Sequence, residues 1–225
     1  MNKGLKYFLI SIGVTSAVIG IYMLLKKLDV IKQNDNIQSN KVLNSILFVG
    51  DSITAGVGYS YSYLIKNDLP NKQVDILALG GMQTSWMLQN LPAQLAKSNY
   101  DRVYIYGGVN DIFSGVSKEQ ATANVQAMVD LINGSGAEAV VISGYDSEVF
   151  MTANNLKPTI YVTTVDGMLQ MRDSYAAYQD YLQNNIQSAV VLPEFELDPS
   201  LNTDGIHPNA AAHKIIEQIL LQDIS

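Results

Sequence analysis

The stretch FVGDSITAG, residues 48–56, decides how the rest of the chain is arranged. It continues an apolar run that begins at Ser45, and a short apolar run bounded by a glycine is typical of a buried parallel strand. Gly50 ends this strand, so Asp51 and Ser52 are expected in the turn that leads into a helix. Sites of α/β folds lie at the carboxyl ends of strands, which makes Ser52 a candidate nucleophile. The alternative is a helix N-cap, in which Ser52 or Asp51 only accepts backbone hydrogen bonds.

Beyond this stretch, short apolar runs alternate with segments of helical periodicity up to the C-terminus. Strands are predicted at residues 45–49, 74–79, 102–106, 137–143 and 188–192, and helices near 59–69 and at 84–97, 118–133, 168–183 and 209–221. Such alternation is typical of a parallel sheet with helices on both faces. We therefore predict an α/β fold, a doubly wound three-layer α/β/α sandwich around a five-stranded parallel sheet.

Three further motifs follow in the sequence, two of them at the ends of predicted strands. They are ALGGMQTS at 78–85, GGVND at 107–111 and DGIHP at 204–208. Together with FVGDSITAG, they resemble the four signature blocks of the SGNH/GDSL hydrolase family, in the family's order. The resemblance extends from residue 45 to the C-terminus. It implies a flavodoxin-like SGNH hydrolase fold and an ester hydrolase activity that requires neither cofactor nor metal.

The resemblance implies a catalytic triad of Ser52, His207 and Asp204. A serine hydroxyl is a weak nucleophile and needs a base within about 2.6–3.2 Å, for which His207 is the candidate. Asp204, three residues earlier, can orient the imidazole and stabilise its protonated form. The alternative is an Asp-Gly turn that leads through Pro208 into a helix without any catalytic role. His213, the other histidine, falls inside the last predicted helix and is expected to be an exposed or packing residue.

The resemblance also implies an oxyanion hole built from the amides of Ser52 and Gly81 and from the side chain of Asn110. Donors of this kind stabilise the negative charge that develops during nucleophilic attack. One position departs from the family pattern, because Ile76 stands where an asparagine usually precedes the oxyanion glycine by about five residues. Gly80 is therefore an alternative to Gly81. We favour Gly81 because the next predicted helix then begins three residues later.

Apolar side chains close to these motifs are candidates for substrate binding. Met82, Trp86 and Phe113 are the first candidates, and Phe150 and Met151 are further ones. For each of them, packing in the core is an equally good interpretation. Residues 145–166 form a long irregular segment, and loops of that length in compact domains often act as lids or binding loops.

Two carboxylates adjoin the motifs, and we interpret Asp51 and Asp111 as acceptors that hold loops through backbone hydrogen bonds. A metal site made from these two residues and Asp204 is the alternative. Nothing in their spacing demands such a site, so no metal is predicted.

The composition excludes several classes of protein. The chain has 225 residues, 48% of them hydrophobic and 16% charged, which suits a single domain with a large core. Its formal net charge is -7 and it has no basic stripe, which argues against nucleic-acid binding. The absence of cysteine excludes disulfides, a thiol nucleophile and a cysteine-ligated zinc site.

The N-terminal segment has the character of a membrane anchor. Residues 7–25 run for nineteen positions without a charge, which is long enough to cross a bilayer as a helix. We predict an uncleaved anchor at 1–27, a polar linker at 28–44 and the hydrolase domain at 45–225. A short basic N-terminus favours an extracytoplasmic domain. The alternative is a cleaved signal peptide and a secreted protein, although no small-x-small cleavage site ends the apolar run.

These observations predict a serine esterase that acts on carboxylic esters, with short acyl groups such as O-acetyl groups on envelope carbohydrate as the first candidate substrate. Lipase or lysophospholipase activity and O-acetyl transfer are alternatives on the same triad. A catalytically silent, membrane-tethered binding module is the alternative from another class, because a fold does not determine a function.

Overall fold

The computed structural model describes residues 42–56, 59–151 and 164–224, and a five-stranded sheet lies at its centre. The strands are β1 Ser45–Gly50, β2 Gln73–Ala78, β3 Arg102–Tyr106, β4 Glu138–Ile142 and β5 Val190–Leu192. They are all parallel and follow the order β2-β1-β3-β4-β5. The predicted α/β fold with a five-stranded parallel sheet is confirmed.

Helices fill the connections between the strands. They are α1 Ser52–Ala55, α2 Tyr61–Asp68, α3 Thr84–Leu95, α4 Val109–Phe113, α5 Lys118–Gly134, α6 Ser147–Phe150, α7 Val165–Asn185 and α8 Ala210–Ile224, with a 3-10 turn at Pro199–Leu201. The five long helices agree with the predicted ones to within a few residues. The three short helices, α1, α4 and α6, span four or five residues each, which is too short to produce a periodic signal in the sequence.

The two central strands, β1 and β3, are buried along their whole length. Phe48 of β1 stacks on Tyr104 of β3 with ring centroids 5.0 Å apart, and it meets Tyr61 of α2 edge-on at 5.6 Å. Aromatic pairs of this kind contribute about 0.5–1.5 kcal/mol beyond the area they bury. This packing fixes the end of β1, and with it the start of the turn that carries Ser52.

The helices form two sets. Helix α2 packs against α8, whereas α5 packs against both α3 and α7. Crossovers between parallel strands are right-handed, so α2, which leads from β1 towards one side of the sheet, lies on the opposite face from α3, α5 and α7, which lead towards the other side. The sheet is thus covered by helices on both faces.

The strand order reverses between β1 and β3, because the chain passes from β1 outward to β2 and then back across β1 to β3. Doubly wound sheets of this order bind their ligands in the crevice at this switch point, outside the carboxyl ends of the strands. Ser52 follows β1, Gly80 and Gly81 follow β2, and Asn110 follows β3. Three of the predicted site segments therefore meet at one place in the fold.

The predicted N-terminal anchor, residues 1–27, lies outside the described residues, as does most of the predicted linker at 28–44. None of the helices in the described part of the chain is long and apolar enough to cross a bilayer. Membrane attachment and the domain bounds stay predictions.

Candidate active site

Ser52 lies in the turn after β1, at the capped start of helix α1. The Asp51 carboxylate accepts a hydrogen bond from the Ile53 amide at 3.0 Å and so caps α1. A Cβ at Gly50 would collide with the side chain of Thr54 and would lie 2.8 Å from the carbonyl oxygen of Tyr106. Only glycine therefore fits at position 50, which explains why the strand ends there. Both the predicted cap at Asp51 and the half-buried Ser52 at the strand end are present in the structure.

Ser52, His207 and Asp204 form a hydrogen-bonded row. Ser52 Oγ lies 2.9 Å from His207 Nε2, and His207 Nδ1 lies 2.8 Å from Asp204 Oδ2. With the Nδ1 proton directed at the carboxylate, Nε2 is free to accept the hydroxyl proton. Asp204 Oδ1 also accepts from the amides of Ile206 and His207 at 3.0 and 2.9 Å. Each of the three predicted residues thus contacts the neighbour that a nucleophile, a base and an orienting carboxylate require.

The loop that carries Asp204 and His207 is held by residues that the sequence reasoning missed. Asn202 accepts from the Gly205 amide at 2.6 Å and donates to the Phe150 carbonyl at 3.2 Å. The buried Tyr145 hydroxyl donates to the Ile206 carbonyl at 2.7 Å. Asn202, three residues before a glycine with φ of 102°, has the spacing of a turn-forming side chain and was detectable as such. The sequence around Tyr145 does not indicate this role, because its partner lies 61 positions away.

The hydrogen bonds and charges around His207 suit a general base, which is neutral before it accepts a proton and charged afterwards. The hydrogen bond that His207 donates to Asp204 raises the pKa of His207; partial burial opposes this, and the charges of Asp204 and Asp51 add to it. Burial alone would raise the pKa of Asp204, but hydrogen bonds from the His207 ring and backbone outweigh it and hold that pKa well below its usual range. Asp204 therefore stays ionised while His207 gains or loses its proton.

The turn after β2 lies beside Ser52 and contains backbone amides that have no hydrogen-bond acceptor in the part of the chain that the structure describes. A Cβ at Gly80 would lie 3.8 Å from Ser52 Cβ, so this backbone borders the nucleophile directly. Gly81 has φ of 77°, and the Met82 amide donates to the Leu79 carbonyl at 3.3 Å, which is the pattern of a type II turn with glycine at its third position. Within the described residues, the amides of Gly80, Gly81 and Ser52 have no acceptor.

The Asn110 side chain lies at the same edge but is already engaged. Its Nδ2 donates to the Met82 carbonyl at 3.1 Å and to Asp51 Oδ2 at 3.4 Å. Burial raises the pKa of Asp51 to about 7, and its hydrogen bond from Ile53 opposes the shift. Asn110 thus connects the ends of β1, β2 and β3 at the position predicted for an oxyanion donor.

Asp111 has the loop-holding contacts that the sequence suggested. Its carboxylate accepts from the backbone amide of Thr84 at 2.9 Å and from the hydroxyl of the same residue at 2.6 Å. These bonds fix the start of α3 against α4. Among residues 42–56, 59–151 and 164–224, no group of three or more histidine and carboxylate side chains is placed to hold a metal ion.

His213 is a packing residue and lies in the core. Its ring is stacked on Tyr61 at 6.2 Å and meets Tyr59 edge-on at 5.6 Å, and its Nδ1 accepts from the Tyr61 amide at 3.4 Å. Burial, aided by the charge of His207, lowers the pKa of His213 to about 4. It stays neutral at physiological pH and takes no part in the row around Ser52.

The substrate-binding candidates divide into two groups. Met82, Trp86 and Phe113 are half-buried, and Met82 reaches the site through its carbonyl. Phe150 and Met151 are fully buried, and Phe150 packs on Tyr145 with ring centroids 4.4 Å apart. For these two residues, the burial agrees with the alternative interpretation of core packing. Of the predicted lid at 145–166, residues 152–163 lie outside the described residues.

Known proteins resemble this chain over most of its length. An arylesterase from Vibrio mimicus is 24% identical over 196 residues, which cover 83% of this chain and 90% of the relative. The psychrotrophic esterase EstA from Pseudoalteromonas sp. matches with a TM-score of 0.57 and 20% identity over 80% of this chain and 96% of its own. The acetylxylan esterase Axe2 from Geobacillus stearothermophilus matches with a TM-score of 0.59 and 17% identity over 81% and 94%. At such identities the structural matches establish the fold.

A parallel α/β sheet that brings serine, histidine and aspartate into contact at its switch point is the architecture of an ester hydrolase. Residues 48–215 match the GDSL-like Lipase/Acylhydrolase family, and the chain belongs to this family. The family assignment made from the four sequence motifs is confirmed, and the protein is a GDSL-type esterase or acylhydrolase.

Proposed function

We propose that the protein is a serine esterase in which Ser52 is the nucleophile, His207 the general base and Asp204 the residue that orients His207. The observation that carries this proposal is the 2.9 Å contact between Ser52 Oγ and His207 Nε2. A base at hydrogen-bond distance is what a serine hydroxyl needs in order to attack at neutral pH. The ionised Asp204 keeps the Nδ1 proton in place and stabilises the imidazolium that forms.

The reaction then proceeds in two halves. Ser52 Oγ bonds to the ester carbonyl carbon while its proton passes to His207 Nε2, and the tetrahedral intermediate expels the alcohol, which takes that proton. His207 next removes a proton from water, which attacks the acyl-serine. The acid leaves, and the proton returns to Ser52. No other group needs to enter the chemistry.

The negative oxygen of both tetrahedral intermediates requires hydrogen-bond donors. The open amides of Ser52 and Gly81, with that of Gly80 beside them, suit this role because they need no rearrangement. Asn110 is the third donor, and it serves by exchanging its long 3.4 Å contact with Asp51 for the oxyanion. Loss of one such donor typically lowers kcat by about 10²–10³-fold.

Short-acyl esters of carbohydrates are the proposed substrates. Support comes from the likeness to an acetylxylan esterase and from the turn at Gly80 and Gly81, which are both exposed. We further propose that the apolar stretch at 7–25 tethers the domain on the outer side of the membrane, where envelope carbohydrate is found.

The test uses the full chain in detergent with p-nitrophenyl acetate, butyrate and laurate and with an acetylated xylo-oligosaccharide. We expect the wild type to hydrolyse the acetate esters and the variants Ser52→Ala and His207→Ala to lose this activity. Ser114→Ala, a change in the loop after α4, is the matched control and should retain activity. Activity that survives in Ser52→Ala would overturn the assignment of the nucleophile, and a preference for laurate would overturn the short-acyl assignment.

A further inference from the structure

The charges of the described residues are segregated along the direction of the strands. We call the segments that follow the strands, residues 51–56, 59–60, 79–83, 107–117, 143–151 and 193–209, the carboxyl edge. The carboxyl edge contains eight carboxylates and neither lysine nor arginine. The eight are Asp51, Asp111, Asp146, Glu148, Glu194, Glu196, Asp198 and Asp204. In the remaining described residues, eleven carboxylates accompany all seven lysines and arginines.

The cations lie mostly at the opposite end of the sheet. Arg102 opens β3, and Lys72, which donates to the Leu43 carbonyl, precedes β2. Lys66 lies in the last turn of α2, where the helix has returned to the starting ends of the strands. Lys118, directly after the carboxyl edge, lies over the ring of Tyr181 at 5.4 Å. In the segment outside the described residues, 152–163, the sequence adds one lysine, which leaves the balance strongly negative.

The carboxylates of this edge influence one another. Burial raises the pKa of Glu194 to about 7, and the charges of Asp146, Asp180 and Glu148 add to the rise. The pKa of His207 is likewise raised, by its hydrogen bond and by the charges of Asp204 and Asp51. Because the pKa values of Asp51 and Glu194 are both about 7, the other carboxylates of the carboxyl edge supply most of its negative charge at neutral pH.

The same edge exposes apolar side chains, one of which lies close to the nucleophile. Tyr59, Leu79 and Val149 are large hydrophobic residues with about half of their surface exposed, 52%, 50% and 48%. Leu79 directly precedes Gly80, whose backbone borders Ser52. Exposed apolar side chains around a reactive centre are typical of a ligand-binding surface. They contact uncharged parts of a substrate, such as an acyl methyl group or the apolar face of a sugar ring.

We propose that the carboxyl edge makes this site selective for uncharged or cationic esters and excludes esters whose acyl or alcohol part is anionic. The proposal rests on the esterase function proposed above and narrows its substrate class. Like charges in a cleft repel an approaching substrate, and fields of this kind change association rates by about 10–10³-fold at low ionic strength. Neutral acylated sugars fit the edge, whereas anionic phospholipids do not.

Three acetate esters of para-substituted phenols test the proposal with the full chain. They are 4-acetoxybenzoate, which is anionic, its neutral methyl ester, and the cationic 4-(trimethylammonio)phenyl acetate. Each kcat/KM is divided by the rate of the same ester with free imidazole, which removes the difference in leaving group. At low salt we expect the anionic ester to be at least about 10-fold poorer than the neutral one. The gap should shrink as added salt screens the edge.

Variants with a reversed charge show which carboxylates cause the discrimination against the anionic ester. Glu148→Lys and Glu196→Lys change exposed carboxylates of the carboxyl edge that are outside the proposed catalytic groups. Each should raise the relative rate of the anionic ester several-fold, whereas Asp130→Lys, an exposed reversal near the far end of α5, should not. Equal normalised rates for all three esters at low salt, or an equal response in Asp130→Lys, would overturn the proposal. Failure of the wild type to hydrolyse any of the three would instead overturn the esterase function on which it rests.

Discussion

Asn110 Nδ2 lies 3.4 Å from Asp51 Oδ2, and the same nitrogen donates to the Met82 carbonyl at 3.1 Å. Both hydrogens of the carboxamide therefore have acceptors before any substrate is present. The contact with Asp51 is the longer of the two and is the one that an oxyanion can replace. In the proposed oxyanion hole, Asp51 is then a positioning residue for Asn110, and it is also the cap of α1.

We expect Asp51→Asn to lower kcat about 10-fold or more with little change in KM. Asparagine is as good an N-cap as aspartate, so α1 should persist, but an amide group then replaces the oxygen that accepts from Asn110. Asp51→Ala removes the cap as well and should also lower Tm. Steady-state kinetics with p-nitrophenyl acetate and thermal unfolding of both variants check this. A fully active Asp51→Asn protein would show that Asn110 does not depend on this contact.

The pH dependence of the reaction should follow His207. Its pKa is raised above the ordinary value of about 6.5 by the hydrogen bond that it donates to Asp204. A general base must be neutral, so kcat/KM should rise with pH through a limb above that value. Asp204→Asn removes the charge that favours the imidazolium and should move this limb to lower pH. By analogy with other triads, it should lower kcat by about 10⁴-fold. If the pH-rate profile of Asp204→Asn has its limb at the same pH as the wild type, Asp204 does not control the protonation of His207, and its proposed role is contradicted.

Tyr145 supports the loop of His207 from the core. Tyr145→Phe deletes the hydroxyl that donates to the Ile206 carbonyl at 2.7 Å, and a lost hydrogen bond of this type is worth about 1 kcal/mol. We expect a several-fold loss of kcat together with a shift of the acidic limb towards the ordinary histidine value, because His207 is then held less firmly against Asp204. Tyr63→Phe, a half-buried tyrosine of α2, is the control. A loss of Tm without any change in the pH profile would mean that Tyr145 is only structural.

Much of the fold could be predicted because its strands are continuous apolar runs, and β3 has the predicted bounds. The start of β5 was predicted two residues early, because Ser188 adopts a positive φ of 59° and its carbonyl is held by the Asn133 side chain. The start of α7 was predicted three residues late. Thr164 caps the helix by accepting from the Gly167 amide at 3.1 Å, so the helix includes the glycine that precedes the predicted start.

The candidate site was predictable where its chemistry is encoded in short motifs. Ser52, Asp204 and His207 sit in such motifs, and the structure brings them into contact. The supports could not be predicted in the same way, because Tyr145 reaches its partner across the fold. For the same reason the sequence could not decide between pocket lining and core packing for Phe150 and Met151, since an apolar residue in an irregular segment gives no indication of which neighbours cover it.

The opposite end of the sheet offers a test that separates stability from activity. Arg102 is buried at the start of β3, and its guanidinium pairs with Glu138 at 2.6 Å and with Asp223 of α8 at 3.0 Å. The two carboxylates are 30% and 26% exposed, so water partly solvates them once Arg102 is removed, and the loss costs about 1–3 kcal/mol, less than for a fully buried pair. Arg102→Ala should therefore lower the free energy of unfolding in urea by that order, while the folded protein keeps its kcat, because Ser52 lies at the other end of β1.

The control is Lys97→Ala, which removes a nearby cation that donates to the Gln94 side chain and should change neither quantity appreciably. Loss of kcat in folded Arg102→Ala protein would show that the two ends of the sheet are coupled.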